Sequence, residues 1–373
     1  MRQSWIAVDL DAIAANTRAI ARAVDPAALC AVVKADAYGH GDVPVAEAAL
    51  SGGATWLAVA LVSEGVRLRE AGIEAPILVL AEPEAADIST MISWDLTPTV
   101  YRTSFANALA DSAEAADTVV PVHLKLDTGM HRVGADAEEA FAVARLIDDR
   151  DHLRLEALWT HFAVSDEDTN FTAHQARELR AFRKRLDDEG IIPEMMHAAN
   201  TAGALDYPDT RFDLVRVGLG IYGLRPAPGV GSEVPLRPAM SVVSKVSYVR
   251  NLPAGARPSY GRIRPLPTDA GVATIPVGYA DGIARRLSSN GGEVLVNGRR
   301  YPFAGAITMD QVVIDIGDDP VSVGDEVVFL GRQGAEEITA EEWADRLDTI
   351  NYEVVCHFGP RLPRVYTGSS DGE

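Results

Sequence analysis

Lys34 follows the apolar run Leu29-Cys30-Ala31-Val32-Val33 and opens into Ala35-Asp36-Ala37-Tyr38-Gly39-His40-Gly41. Lysine is scarce in this chain, four residues against thirty arginines, so its placement at such a junction draws attention. A short apolar run bounded by a glycine-bearing turn reads as a buried strand, and the turn after it can bring backbone amides close to an anion. An amine at a strand end is partly desolvated, which lowers its pKa and frees the nucleophilic form. A lysine that merely snorkels from sheet to solvent is the bland alternative.

Other apolar runs end in the same polar fashion. One closes at Lys125-Leu126-Asp127-Thr128-Gly129 with Arg132 close behind, another at His161, another at His197 followed by Asn200-Thr201, and a last one contains Arg216 before Gly218. So many cations at the ends of apolar segments suggest an anionic ligand. The stretch Gly218-Leu219-Gly220-Ile221-Tyr222-Gly223 behind Arg216 would let backbone amides approach oxygen, although glycines alone also read as turn residues. Joined to Lys34 and Arg216, they suggest a phosphate-bearing aldehyde cofactor held covalently by the amine.

Eight strand-like runs position these groups, at residues 29–34, 55–60, 76–80, 96–100, 121–127, 153–161, 194–197 and 213–217. Helical periodicity recurs between them, as at 62–71, 104–115, 138–147 and 170–189. Strand and helix alternating eight times predict a parallel (β/α)8 barrel, with a doubly wound open sheet as the fallback. In such a barrel the strands' C-terminal ends form the active site, which puts the polar strand endings on one list. Past residue 226 the texture changes to short alternating segments at 241–249, 271–276, 292–296, 311–316 and 325–330, which predict a mostly β domain. A single helix there, 339–347, is announced by Thr339 with Glu342 three residues on. The expected organisation is a barrel over 10–235 and a β-rich domain over 236–373, which strand 1–9 joins.

At 373 residues with 47% hydrophobic and 24% charged content, the chain is that of a soluble globular protein. Its net charge of −20 argues against a nucleic-acid partner, since phosphate neutralisation needs a basic face. No stretch reaches membrane-spanning length and the start has no hydrophobic signal region, so a cytoplasmic enzyme without membrane association is expected. Cys30 and Cys356 both sit in apolar surroundings, which suggests reduced, buried thiols and no cysteine-bound metal.

With the motifs laid out, the chain resembles the pyridoxal-phosphate-dependent alanine racemases over essentially its whole length. Val33 to Gly41 is similar to that family's cofactor-attachment signature. The resemblance continues through Lys125 to Arg132, His161, Asn200-Thr201, the Arg216 segment, Gly278-Tyr279-Ala280-Asp281-Gly282, Met309-Asp310-Gln311 and Ile350-Asn351-Tyr352-Glu353. It implies interconversion of L- and D-alanine, supplying D-alanine for peptidoglycan, by a homodimer whose active sites join one subunit's barrel to the other's β domain.

By the same resemblance, Lys34 holds pyridoxal 5'-phosphate and serves as one acid/base group, while Tyr279 from the partner subunit is the other. Racemisation needs proton removal on one face of a planar carbanion and return on the opposite face, hence two groups. A free phenol ionises at about pH 10, so a tyrosine base needs cations nearby, and His161 and Arg216 are the expected helpers. Arg216 would face the pyridine nitrogen. Always protonated, it cannot take up that nitrogen's proton, which leaves the ring a weaker electron sink.

Tyr38, Asn200, Thr201, Gly218, Leu219 and Tyr352 would bind the cofactor, chiefly its phosphate. Arg132, Met309 and Asp310 would meet the substrate, and Lys125 would brace Arg132, as a carbamate in many family members; an ordinary Lys125 paired with Asp127 or another carboxylate is the alternative. The chain departs from the family's common residues at Thr201 (serine), His131 (glycine) and Thr308 (cysteine), none of which removes a catalytic group. Three rivals remain at this point: a serine or broad-specificity racemase, a decarboxylase of basic amino acids on the same fold, and a noncatalytic pyridoxal-phosphate-binding protein.

Overall fold

The computed structural model describes residues 3–368. Strand β1 (Trp5–Asp9) runs into a helix over Leu10–Val24. Eight strands then close a barrel in sequence order: β2 (Ala28–Val32), β3 (Trp56–Val59), β4 (Ile77–Val79), β5 (Thr97–Val100), β6 (Val120–Lys125), β7 (Leu153–Trp159), β8 (Met195–His197) and β9 (Leu214–Val217). All pair in parallel, and β2 against β9, with Cys30 opposite Arg216, completes the ring. Strands covered on both faces need apolar residues at nearly every position, which is why they stand out as short continuous runs.

The intervening helices follow the same logic on one face only. The helix Ala137–Asp148 starts where the Asp136 carboxylate accepts from the amides of Glu138 and Glu139, and it buries Ala140, Val143, Ala144 and Ile147. Thr169–Asp188 is capped by Asp168 and buries Thr172, Gln175, Ala176, Leu179, Phe182 and Leu186. Steps of three and four residues keep each set on one stripe of its helix.

The remaining strands are β10 (Met240–Lys245), β11 (Tyr248–Leu252), β12 (Ala270–Ile275), β13 (Glu293–Val296), β14 (Arg299–Pro302), β15 (Val312–Gly317), β16 (Glu326–Gln333), β17 (Glu336–Ile338) and β18 (Arg364–Thr367). One sheet runs β14-β13-β16-β10-β1-β18, with β17 on β16, and a second runs β11-β12-β15. The segment 241–249, expected as one run, breaks at Val246-Ser247: β10 pairs with β16 and β11 with β12, so the chain changes sheets there. The N-terminal strand lies in the large sheet, antiparallel to β10 and parallel to β18. Thr339 accepts from the Glu342 amide and caps Ala340–Leu347. Cys356 corrects an expectation: it ends the helix Asn351–Cys356 on the exposed side, while Cys30 is buried.

The chain divides into two compact units. One comprises Ala12–Ala37 and Asp42–Arg237; the other comprises the chain up to Asp11, Tyr38–Gly41 and the chain from Pro238. Tyr38–Gly41 cluster with the β-rich unit for a local reason. A Cβ on Gly39 would lie 2.6 Å from the Val355 carbonyl oxygen, and Arg364 Nε donates to the Gly39 carbonyl at 3.1 Å. No helix among the described residues is long and apolar enough to cross a membrane.

Candidate active site

Barrel interiors are ordinarily filled by layers of branched apolar side chains. Here the register sets Lys125 of β6 beside Trp159 of β7, and Trp159 beside His197 of β8, in one row. His123, two residues before Lys125, faces the same way by the period of the strand, and its ring bonds to that of His197. All four are buried, as is Arg216 on β9. Trp159, not a candidate from sequence, holds this layer together. The Lys125 ammonium lies 4.2 Å and the Arg216 guanidinium 4.5 Å from its ring centroid, and the His197 ring stacks on it at 5.2 Å. Its π face thus offers both buried cations a partner where a carboxylate would be usual.

Arg216 is held by neutral acceptors. Nη1 donates to His197 Nδ1 at 2.6 Å, and Nη2 reaches the carbonyls of Thr160 and Ala198 at 2.9 Å and His161 Nδ1 at 3.1 Å. Burial pulls its pKa down to about 10, which leaves it charged at neutral pH. Because a guanidinium only donates, both histidine nitrogens facing it must be bare lone pairs.

Around Arg216 the positive charge accumulates. The Lys125 amine is lowered to about 7 by burial first and then by Arg216, Arg132 and Lys34, with only Asp127 opposing. His161 is pushed well below its ordinary range by burial and by Arg216, Lys125, Arg132 and Lys34. The structure therefore brings Lys34, Lys125, Arg132, His161 and Arg216 into one electrostatic cluster. The ion pair of Lys125 with Asp127 does not form. Asp127 instead accepts from the amides of Gly129 and His131 and from the His131 ring, all at 3.0 Å, folding the loop so that Arg132 is exposed. Gln175, another residue the sequence reading missed, holds this rim: buried, it bonds Thr128 Oγ1 and the His161 carbonyl at 3.1 Å and the Ala163 amide at 2.9 Å.

Lys34 lies two residues beyond the end of β2, at the start of a left-handed turn. Ala35, Asp36, Ala37 and Tyr38 have φ of 54, 53, 50 and 54°. Non-glycine residues in this region cost roughly 1–2 kcal/mol each and rarely occur in series. The compensation in the barrel unit comes from Glu64, whose carboxylate takes the Ala35 amide on Oε1 at 2.7 Å and the amides of Ala60 and Leu61 on Oε2 at 2.8 and 3.1 Å. Strain kept in place by hydrogen bonds to one carboxylate, beside the candidate Lys34, fits a site built for function.

Asn200 caps the helix Thr201–Asp206, its Oδ1 accepting from the Gly203 amide at 3.0 Å and from Ser165 Oγ at 2.7 Å. Thr201 is buried next to the glycine turn: a Cβ on Gly220 would meet Thr201 Cγ2 at 3.1 Å and Val217 at 3.0 Å. The turn Leu219–Tyr222 is fixed through Tyr222, which donates to the Val32 carbonyl at 2.8 Å. The Gly220 Cβ position would also meet Ile20 at 3.1 Å, so the backbone is closely packed here, and Thr201, Gly218 and Leu219 are all buried on the barrel that carries the cation cluster.

In the β-rich unit the candidates sit on two turns bolted together. The amides of Tyr279 and Ala280 donate to the carbonyls of Thr308 and Met309 at 2.9 and 3.1 Å. Gly278 lies so close to those carbonyls that a Cβ has no room, and Gly282 at φ +110° abuts Phe358. Arg361 pairs with buried Asp281 at 3.4 Å and with Asp310 at 2.6 Å. The turns are tied together, yet the candidate side chains stand out: Tyr279 is 42% and Met309 53% exposed. Tyr38 and Tyr352 pack with ring centroids 6.2 Å apart, and burial, then Tyr352 and Cys356, push the Tyr38 phenol up from its ordinary range.

A cluster of cations with one opposing carboxylate and an amine at its edge suits a small ligand bearing phosphate and carboxylate groups. Comparison with known proteins is consistent with that chemistry. The family profile described as "Alanine racemase, N-terminal domain" matches residues 8–226, and "Alanine racemase, C-terminal domain" matches residues 239–366. The chain is 45% identical over 372 residues to the alanine racemase of Symbiobacterium thermophilum, covering 99% of this chain and 98% of that one. Among solved structures, alanine racemase from E. faecalis superposes with a TM-score of 0.93 at 37% identity over 98% of both chains. A histidine racemase from Leuconostoc mesenteroides gives 0.90 at 28% identity over 99% of both.

Proposed function

This chain belongs to the alanine racemase family, and from that premise we propose that it interconverts L- and D-alanine with pyridoxal 5'-phosphate and so supplies D-alanine for peptidoglycan. The observation that carries the reading is the hydrogen bond from Arg216 to His161 inside a cation cluster that includes Lys34. The bound cofactor would supply an electron-accepting ring conjugated to the amino acid's Cα, which acidifies the Cα–H bond.

This chain's residues would divide the remaining work. Lys34 Nζ would hold the cofactor covalently and, as a free amine, would take or return a proton on one face of Cα. Tyr279 of the partner subunit does so on the other face through its phenol oxygen. His161 offers Nε2–H toward that phenol, because its Nδ1 is taken by Arg216. Arg216 would donate to the ring nitrogen without protonating it, since a guanidinium with a pKa of about 10 keeps its proton at neutral pH. Arg132, braced by Lys125, attracts the substrate carboxylate, with Met309 and Asp310 of the partner subunit completing the pocket. Asn200, Thr201, Gly218, Leu219, Tyr38 and Tyr352 are assigned to the cofactor, chiefly its phosphate, on the family resemblance. A homodimer is supported by the exposure of Tyr279 and Met309 on turns otherwise tied together. A cytoplasmic location follows from the proposed role.

The test is chiral chromatography of single L-amino acids after incubation with the cofactor-loaded protein. D-alanine as the main product is expected. The histidine racemase among the structural neighbours is reason to include serine and histidine in the panel. Faster inversion of either would assign a different or broader racemase, and no inversion by a protein that holds cofactor would overturn the reading.

A further inference from the structure

Arg216 carries a buried charge, yet each acceptor named above for it is neutral. A carboxylate is nevertheless connected to it, two rings away. His197 Nε2 lies 3.0 Å from His123 Nδ1, and His123 Nε2 lies 3.1 Å from Glu156 Oε2. The other oxygen of Glu156 accepts from Arg154 Nη2 at 3.0 Å. A fault in the strand makes this contact. Between β6 and β7 the register jumps from Val122↔Leu155 to His123↔Ala157, so Glu156 is the extra residue of a β-bulge. Bulges re-aim side chains, and here a residue of a barrel strand meets an inward-facing ring.

The proton positions along this chain follow from one fixed end. Arg216 can only donate, so His197 Nδ1 is a lone pair and its proton sits on Nε2. That N–H needs an acceptor, which makes His123 Nδ1 a lone pair and puts the second proton on Nε2, toward Glu156. Protonating either ring would set two N–H groups against each other. Both imidazoles are thus neutral and aligned head to tail, lone pairs toward the guanidinium and N–H groups toward the carboxylate, an arrangement in which each bond polarises the next. The environments agree. Burial lowers the pKa of both histidines, and although burial opposes ionisation of Glu156, the hydrogen bonds from His123 and Arg154 hold it below the ordinary carboxylate range.

We propose that Glu156 is a positioning residue of the reaction, which through the Nε2–H tautomers of His123 and His197 turns a lone pair onto Arg216 and fixes the guanidinium against His161. The proposal rests on the reading that Arg216 serves the cofactor, but its first test does not. Nitrogen-15 spectra of the histidine rings in the holoenzyme, assigned by substitution, report each tautomer directly. His123 and His197 are expected to be neutral with the proton on Nε2; a ring protonated on Nδ1, or on both nitrogens, would overturn the proposal whether or not the protein racemises anything.

Two substitutions then tie the tautomers to turnover. Glu156→Gln keeps a carbonyl oxygen for His123 and is expected to preserve both tautomers and to hold kcat within about twofold. Glu156→Leu removes the acceptor, so mixed tautomers and a kcat lower by about tenfold at little-changed KM are expected, as for other residues that orient a functional group from behind. Combining Glu156→Leu with Arg216→Lys should add little to the loss from Arg216→Lys alone, because the effect travels through Arg216. Unaltered tautomers and kcat in Glu156→Leu, or full additivity in the pair, would count against the relay. The wild-type and Glu156→Gln spectra decide the matter even if the leucine variant does not fold. Loss of racemisation in the wild type with tautomers as expected would sink the functional reading alone.

Discussion

The barrel mouth and the Tyr279 turn hold their functional groups by opposite means. In the barrel, side chains fix side chains: Arg216 is held by His197 and His161, Lys125 and Arg216 by the Trp159 ring, and the rim by Gln175. In the β-rich unit, backbone fixes backbone, through Tyr279 and Ala280 amides on the 308–309 carbonyls, and the tyrosine side chain is left exposed. A buried network sets charge and protonation within one subunit but carries a desolvation cost. A bolted turn sets only where a residue starts, so its chemistry depends on what comes to cover it. Substitutions in the first region should therefore alter electrostatics and cofactor, and in the second only turnover.

The largest effects test that division directly. Lys34→Ala should lower racemisation on the order of 10^4-fold or more and abolish the covalent cofactor adduct that borohydride reduction and mass spectrometry are expected to detect in the wild type. Tyr279→Phe should cost roughly 10^2 to 10^4-fold in turnover, the usual worth of one acid/base group, while the adduct remains. In deuterium oxide that variant should still exchange the Cα hydrogen of one enantiomer and not the other. Equal exchange of both enantiomers, or loss of the adduct, would break the comparison.

Smaller effects come from the residues that pin each reactive group. Glu64 uses both carboxylate oxygens on backbone amides beside Lys34, and a glutamine has only one oxygen to offer. Glu64→Gln should lower stability by about 0.5–1.5 kcal/mol, the net worth of a hydrogen bond lost at a part-buried site, and slow turnover about tenfold with a shifted cofactor absorbance. Arg361→Ala withdraws the cation from buried Asp281 and from Asp310, and should slow turnover by a similar or smaller factor with the cofactor spectrum unchanged. Matching spectral changes in both variants would mean the two regions are less independent than their construction suggests.

These pinning residues mark where the sequence stops being readable. The eight barrel runs were legible because strands buried on both faces tolerate few polar residues, and the polar residues at their ends, from Lys34 to Arg216, stood out for the same reason. Glu64 looks like any first-turn carboxylate of the helix Val62–Glu70, and only its one long-range bond, to the Ala35 amide, reveals its role. The left-handed turn after Lys34 is silent because alanine has no preference for positive φ; tertiary contacts impose it. Trp159 and Gln175 act on partners far along the chain, which no local pattern encodes. Strands β14 and β18 were missed because they carry arginine and exposed side chains in place of an apolar alternation. Cys356 misled by its neighbours: Val354 and Val355 are buried, but the helix turns the next residue outward.

The last effect expected leaves the chemistry aside and is on stability alone, and its pH dependence separates the two regions once more. Lys125 has a folded-state pKa of about 7 against 10.5 for the free side chain, because burial and then the charges of Arg216, Arg132 and Lys34 disfavour its protonated form. Below about pH 7 the lysine is protonated in both folded and unfolded chains, and the folded protein bears the whole penalty. Between about 7 and 10.5 the unfolded chain binds a proton that the folded one does not, so stability rises with pH across this window, and above it the penalty is gone. Lys125→Met, which keeps the length of the stem over Trp159 and removes the charge, should therefore raise the Tm of the ligand-free protein at pH 6, with the advantage shrinking steadily toward pH 10. Met309→Ala in the exposed turn is the control, since it removes no titrating group and should move Tm by the same small amount at every pH. Calorimetry of both variants across that range decides the point: a Lys125→Met advantage that does not change with pH would mean that the cation cluster is not what strains the barrel mouth.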